Sequence, residues 1–405
     1  VKKQVVVIGG GASGFFCAIA AAEAGQEVQV TLLEKHAQVL QKVKVSGGGR
    51  CNVTHACFQL SDLLKRYPRG KNFLKKAFRH FACADTMQWF SERGVALKTE
   101  TDGRVFPVSD QSQSIIDCLL NEAGRLGVNL QLKADVKALE RDGQGWTLTL
   151  QDGRVLHADA VFVGTGGSAK ASGYDWLRQL GHSIAEPLPS LFTFNIPDKK
   201  LHALMGLSVP QAHVRINGSK LEEEGPLLIT HWGLSGPAVL RLSAWGAEEL
   251  AARHYDFEIT VNWIGEKEHQ LRERWAGIRQ AQAGLSLQQK NPFALPARLW
   301  DYLLESAAVP GNLAWSELPA KEQNRLIHTL CAQTFGVKGK TTFKEEFVTC
   351  GGINTTEVNP DTMESRICPG LYFGGEVLNV DGITGGFNFQ HAWTSGYLAG
   401  RAMGG

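Results

Sequence analysis

Gly9, Gly11 and Gly14 stand in a G-x-G-x-x-G pattern, and Glu34 follows Gly14 by 20 residues. That set of types and spacings suits the grip of a dinucleotide. Gly9 permits a tight turn, Gly11 lets a pyrophosphate approach the backbone, and Gly14 lets a helix pack closely on its strand. Ala12 and Ser13 would open that helix, whose free N–H groups and positive dipole end face the phosphates. Glu34, with Lys35 beside it, is placed to accept hydrogen bonds from both ribose hydroxyls and would repel a 2′-phosphate. The positioning elements fall in order. Residues 5–8, VVVI, read as a strand buried on both faces, residues 15–24 as a helix stopped by Gly25, and residues 28–33 as a second strand. With 45 glycines in the chain the pattern alone is weak, and the order of elements is what gives it weight. At this point FAD and NAD are equally compatible.

Later segments discriminate between them. Residues 39–52 read VLQKVKVSGGGRCN, residues 159–167 DAVFVGTGG, and residues 371–381 LYFGGEVLNVD. Gly385 and Gly386 then open a final helix reaching about residue 402. A simple nicotinamide dehydrogenase needs no such return to the cofactor. An extended FAD does, because its ribityl chain and ring must also be held.

The segments GGGASG (9–14), SGGGRCN (46–52), THWGLSGPAVLRLS (230–243) and CGGINTTEVNPDTMESRICPGLYFGGEVLNVDGITGGFNFQHAW (350–393) carry a specific likeness. By them the chain resembles the YhiN/BaiN-like family of NAD(P)/FAD-dependent oxidoreductases, which includes aminoacetone oxidase-like flavoproteins. The resemblance implies an α/β fold: a Rossmann-like FAD-binding domain with a mostly parallel sheet, interrupted by an inserted β-barrel and a small helical unit. Three places depart from the family pattern. Leu40, Gln41 and Lys42 stand for Gly-Arg-Lys; Gly164, Thr165 and Gly166 for Ala-Thr-Gly; Phe387, Asn388 and Phe389 for Tyr-Asn-Leu.

The same resemblance implies a contact set. Glu376 would lie close to the ribityl chain and pyrophosphate, and Lys42, Thr165, Gly166, Gly167 and Gly375 would be further cofactor contacts. Ser46, Gly47 and Gly48 would form a nest of N–H groups for phosphate or a flavin carbonyl. Arg50, Cys51 and Asn52 would lie near the isoalloxazine, and Val136, in a strand spanning 130–139, would meet adenine through its backbone. Gly385 and Gly386 would admit the pyrimidine edge, and the N–H groups of Phe387, Asn388 and Phe389 would stabilise charge at N1 and the C2 carbonyl. Cys51 has no partner cysteine in place and reads as a small buried side chain. His231 and His391 are the histidines to weigh for proton transfer, against a purely structural hydrogen-bonding role.

The middle of the chain changes character. Ten of the 14 prolines lie between residues 187 and 319, and six of the ten tryptophans between 232 and 315, enough to seed another core. Short β-like runs over 192–261 suggest a barrel, with helices over 266–283, 295–308 and 320–335 and the sheet resuming near Phe347. The expected organisation is an FAD domain of 1–190 and 346–405, a barrel of 191–265 with a returning strand near 336–345, and a helical subdomain of 266–335. A substrate pocket is expected where the insertion meets the flavin.

A formal net charge of +2 gives no general footprint for nucleic acid or an anionic membrane, so neither is an expected partner. Pairs such as Lys42 with Lys44, or Lys199 with Lys200, read as solvated surface. Eight cysteines without a C-x-x-C pair suggest reduced thiols in a cytoplasmic protein and no metal site. A chain that runs into a strand from Val1 leaves no room in it for a signal peptide. The leading reading is hydride transfer through FAD between a small organic substrate and NAD(P)H or oxygen. No second G-x-G-x-x-G follows a strand, so a nicotinamide would bind only transiently. A flavin-dependent RNA-modifying enzyme, or a flavin protein without turnover, are the competing classes.

Overall fold

The computed structural model describes residues 2–25, 27–143, 145–342 and 348–405. It divides into two compact units, Val1–Ser190 with Lys344–Gly405, and Leu191–Phe343. Five parallel strands form the heart of the first: β1 (Lys3–Ile8), β2 (Val28–Glu34), β3 (Asn129–Leu132), β4 (Ala160–Val163) and β5 (Leu371–Phe373), in the order β5-β4-β1-β2-β3. The central β1 buries Val5, Val6, Val7 and Ile8, as a strand covered on both faces must. Helix α1 (Ala12–Ala24) carries the chain from β1 to β2.

The helix Phe387–Gly404 lies against α1 with almost no side chain between them. A methyl group on Gly396 would overlap the carbonyl oxygen of Ser13, one on Gly400 that of Cys17, and one on Gly404 that of Ala21. Contacts that climb both helices in the same sense make the two parallel. Glycines four apart share one face, and that face is what lets the backbones meet. From the other side, segments of residues 53–86 clamp the same helix. Trp393 Nε1 donates to the Val53 carbonyl (2.8 Å), and Thr54 and Thr86 both donate to Gln390 Oε1 (2.6 and 2.9 Å).

Several local expectations give way. The single strand expected over 130–139 is two: β3 ends at Leu132, Lys133 turns into the left-handed region (φ +53°), and Val136–Asp142 pairs with Gly145–Leu150 in another sheet. The glycine loop after Glu34 begins as a helical turn from Gln41 and breaks only at Ser46 (ψ 149°). Within the run of short strands, Pro237–Trp245 and Ala247–Ala252 are helices. The helix expected to reach residue 335 stops at Ala332, where Gln333–Lys338, carrying β-favouring Thr334, Phe335 and Val337, pairs with Asp256–Asn262. Phe347, where the sheet was expected to resume, lies outside the described residues, and the strand described there is Val348–Ile353.

In the second unit every described strand pairing is antiparallel. The segment 333–341 closes it into a barrel. Gln333–Lys338 pairs with Asp256–Asn262, the chain bends at Gly339 (φ +93°), and Lys340–Thr341 then pairs with Thr193–Asn195 on the far side. Helices Glu268–Ala281, Ala297–Ser306 and Ala320–Ala332 share one apolar core with the strands, around buried Trp263, Trp275, Trp300 and Trp315. Trp232 and Trp245, two of the six tryptophans expected to seed it, face solvent instead.

The helix contact yields a paired prediction. Gly400→Ala must push two backbones apart and is expected to cost about 2 kcal/mol or more. Gly277→Ala, on the exposed side of Glu268–Ala281 where an added methyl meets nothing within 4 Å, is expected to stabilise by about 0.5–1 kcal/mol. Thermal melts of the two variants check both signs.

Candidate functional site

The N–H groups of Gly11, Ala12, Ser13 and Gly14 make no hydrogen bond among the described residues, as at any open helix start. A methyl on Gly14 would overlap the carbonyl oxygen of Gly9, so this glycine seats α1 on β1. A methyl on Gly11 would meet nothing within 4 Å, which leaves the backbone open to a ligand. Glu34 ends β2 beside this turn. Its Oε2 accepts from Gly10 N–H and its Oε1 from His36 N–H, both at 2.8 Å. Each carboxylate oxygen has two lone-pair directions, so the Glu34 carboxylate holds the glycine turn and keeps capacity for ribose hydroxyls. Lys35 is exposed beside it.

Farther along, Lys42 Nζ donates to Glu376 Oε2 (2.7 Å), while Oε1 of the same carboxylate accepts from Thr349 N–H (2.7 Å). Glu376 is therefore a neutralised carboxylate, compatible with nearby phosphates. Gly167 packs against it so closely that a methyl would lie 2.6 Å from Oε1. Thr165 is exposed, and Gly166 (φ +77°) faces open space. Gly375 (φ +70°) is fixed at both ends of its peptide. Its N–H donates to Ser395 Oγ (2.8 Å) and its carbonyl accepts from His391 Nε2 (3.2 Å).

At the other end, Gly386 (φ +92°) precedes the Phe387–Gly404 helix. The N–H groups of Phe387, Asn388 and Phe389 make no hydrogen bond among the described residues. With its amide turned to suit its partners, Asn52 donates to the Thr54 carbonyl (2.9 Å) and accepts from Gly386 N–H (3.0 Å). Asn388 spends its side chain on Gly382, accepting its N–H (2.8 Å) and donating to its carbonyl (2.9 Å). The Phe387 ring stacks on His55 (4.8 Å), and its carbonyl accepts from Tyr67 Oη (2.7 Å). Phe389 stacks on Trp393. All three residues thus offer only main-chain donors to a ligand. Gly47, Gly48 and Gly49 are all left-handed, and added methyls on Gly48 and Gly49 would meet nothing within 4 Å. Ser46 closes this nest by accepting the N–H groups of Arg50 and Cys51 on its carbonyl.

Other side chains have duties of their own. Arg50 pairs with Glu100 (2.7 Å) and lies over Phe106 (4.0 Å), which occupies its charge within the protein. Cys51 is fully buried at φ +62°, and burial pushes its thiol up to about 12. Leu40, where the family pattern has glycine, is itself left-handed (φ +57°), and its buried side chain offsets that strain. Val136 opens the meander strand. The backbone that reaches β2 is instead Lys133 and Ala134, whose N–H groups donate to His36 and Glu34 carbonyls. His231 is exposed in the second unit at the Thr230–Gly233 turn.

Sequence reasoning passed over one buried ion pair. Asp381, with no exposed surface, is held by Arg69 through both carboxylate oxygens and by Ser190 Oγ (2.9 Å). Burial holds its carboxyl above the usual carboxylate range, while Arg69 pulls it down. Ile383 N–H also donates to the Arg66 carbonyl (2.9 Å), so residues 66–70 and 380–387 are stitched together at the start of the helix. The only sequence signal was an acid at the end of a glycine-rich strand. Among the described residues no group of three or more His, Cys, Asp or Glu side chains could hold a metal. Nor is any described helix long and apolar enough to cross a membrane.

The geometry fits an extended dinucleotide. Two parallel helices present unpaired N–H groups, and Ser13 of α1 lies beside Gly396 of the other. The second helix therefore starts about 12 Å before α1 does, extending beyond its N-terminal end, at 1.5 Å per residue. Phosphates at the first and a ring edge at the second would be spanned by a linker such as ribityl.

Comparison with known proteins places the chain. It belongs to the HI0933-like Rossmann family, whose profile matches residues 3–402. It is 32% identical to a 3-dehydro-bile acid delta(4,6)-reductase of Clostridium scindens, covering 99% of this chain and 98% of that one. It is equally 32% identical to a ribosomal RNA dihydrouridine synthase of Escherichia coli, with the same coverage. The fold is shared with a 3-ketosteroid-delta4-(5alpha)-dehydrogenase of Rhodococcus jostii at TM-score 0.52 and 14% identity, over all of this chain and 97% of the other.

His391 generates a pH prediction. Burial drives its pKa from an ordinary 6.5 down to about 4, so it stays neutral, with the proton on Nε2 facing the Gly375 carbonyl and Nδ1 unpartnered. The unfolded chain takes up this proton first. The stability contribution is therefore full above pH ~6.5 and is lost as pH falls toward ~4, by about 3 kcal/mol. His391→Gln keeps an Nε2 donor without the titration, so its stability should fall less steeply over that window. An equally steep fall in denaturant midpoints would reject the assignment.

Proposed function

With membership of the HI0933-like family as the premise, we propose that the protein is an FAD-dependent oxidoreductase that reduces a carbon–carbon double bond conjugated to a carbonyl. The observation that carries the cofactor is the pair of parallel helix starts, offset by about 12 Å, with the open Gly11 at the first. The substrate class draws on the relatives. A delta(4,6) double-bond system in a 3-dehydro bile acid and the double bond lost when uridine becomes dihydrouridine both lie in conjugation with a carbonyl. When bound, FAD supplies hydride chemistry, passing two electrons from a nicotinamide donor to the β-carbon of such a system.

The chain's own work is holding and polarising. The α1 N–H groups and dipole take the pyrophosphate. Glu34 takes the adenosine ribose while fixing Gly10, and the neutralised pair of Lys42 and Glu376 lies toward the linker. The N–H groups of Phe387, Asn388 and Phe389 stabilise negative charge on the reduced ring's pyrimidine edge. Asn52 holds that helix start through Gly386.

The test is anaerobic. FAD-loaded protein should bleach with NADPH or NADH and recover its colour with cyclohexenone but not with cyclohexanone. Reoxidation by oxygen alone would instead favour an oxidase, and aminoacetone as the bleaching donor would identify that type. Glu34→Ala should weaken FAD retention about ten-fold or more, since it removes the ribose acceptor and frees the glycine turn. Undiminished retention in a flavin titration would mean that the ribose is held elsewhere.

A further inference from the structure

Residues 63–84 contain seven Lys and Arg and no Asp or Glu, although the whole chain is nearly balanced at 42 to 40. Arg69 is taken by Asp381, and Lys65 by Asp62 (2.8 Å). Arg66, Lys71, Lys75, Lys76 and Arg79 are exposed and form no ion pair among the described residues. Beyond those two pairs, the acid recorded against the stretch is Asp361 beside His80 (3.0 Å). Lys71 and Lys75 lie one turn apart on the helix Lys71–Ala77, an arrangement that costs stability through repulsion. An ordinary solvated face would mix signs.

Two further observations join this strip to the cofactor end of the site. Residues 66–70 are bonded to residues 380–387, the loop that sets the start of the Phe387–Gly404 helix. Phe58, 61% exposed, stands three residues beyond His55, whose ring stacks on Phe387. The helix Lys71–Ala77 buries Phe73, Leu74 and Ala77, so it has no apolar face to set into lipid. Cations in a row with a free aromatic ring match a sugar-phosphate backbone and an unstacked base.

We propose that Phe58 and the exposed cations of residues 66–79 form a docking track for single-stranded RNA, which presents a pyrimidine to the flavin end. The track rests on the double-bond reduction proposed above, the pyrimidine being a substrate whose double bond is conjugated to a carbonyl. Phosphates would be taken by Lys71, Lys75 and Arg79, and a base would stack on Phe58.

The experiment titrates full-length, FAD-loaded protein into a fluorescein-labelled oligouridylate at several salt concentrations. K71Q/K75Q/R79Q should bind about ten-fold or more weakly, with a salt slope smaller by about 2. Its melting midpoint and flavin spectrum should stay those of the parent. K220Q/K290Q/K321Q, removing equal charge from exposed sites elsewhere, should stay within about two-fold. Phe58→Ala should lose several-fold affinity with the slope unchanged. The track is refuted if the parent does not bind, if both triple variants weaken alike, or if phosphatidylserine vesicles bind in place of RNA. Cyclohexenone turnover without RNA judges the reductase reading separately: its failure with RNA binding intact overturns the reaction and leaves the track.

Discussion

Two helix backbones in direct contact set the geometry on which the rest of the site depends. Gly396, Gly400 and Gly404 remove every side chain that would separate the closing helix from α1. Side by side and parallel, the two dipoles repel. Close packing holds them there, reinforced by the bonds from Val53, Thr54 and Thr86 to the closing helix. An anionic ligand at the positive ends offsets that cost. The same contact that costs electrostatic energy in the free protein therefore favours a cofactor carrying negative charge at both places.

The fold was legible where one local rule decided each element. The run of valines in β1, the glycine turn and Glu34 fall in the structure where spacing put them. Boundaries failed where chain direction changed without glycine or proline. Lys133 turns left-handed between β3 and the meander, and no residue type announces it. The strand after Ala332 was hidden because helical composition runs into it. Within the site, backbone donors could be read from glycines and helix starts, but side-chain duties could not. Arg50 and Asn388 spend their side chains on the protein itself, and His391 commits Nε2 to the Gly375 carbonyl. The Arg69–Asp381 pair joins residues 312 positions apart, beyond the reach of any local pattern.

Net charge does not report how the charge is distributed. A sum near zero over 405 residues conceals a stretch with one sign only. Electrostatic attraction acts over roughly a Debye length, about 8–10 Å in physiological salt, so the distribution decides what a surface attracts. The two kinds of relative differ in substrate size by orders of magnitude yet share the chemistry of a conjugated double bond.

The bend at Gly339 has one more consequence. It completes the barrel with residues 333–341, so the second unit is whole once those residues exist. The first unit is not. Its β5 strand and its closing helix come later still, at 371–373 and 387–404. As the chain leaves the ribosome, the inserted unit can thus finish folding while its host still lacks a sheet edge and the helix partner of α1. The guest is built before the house.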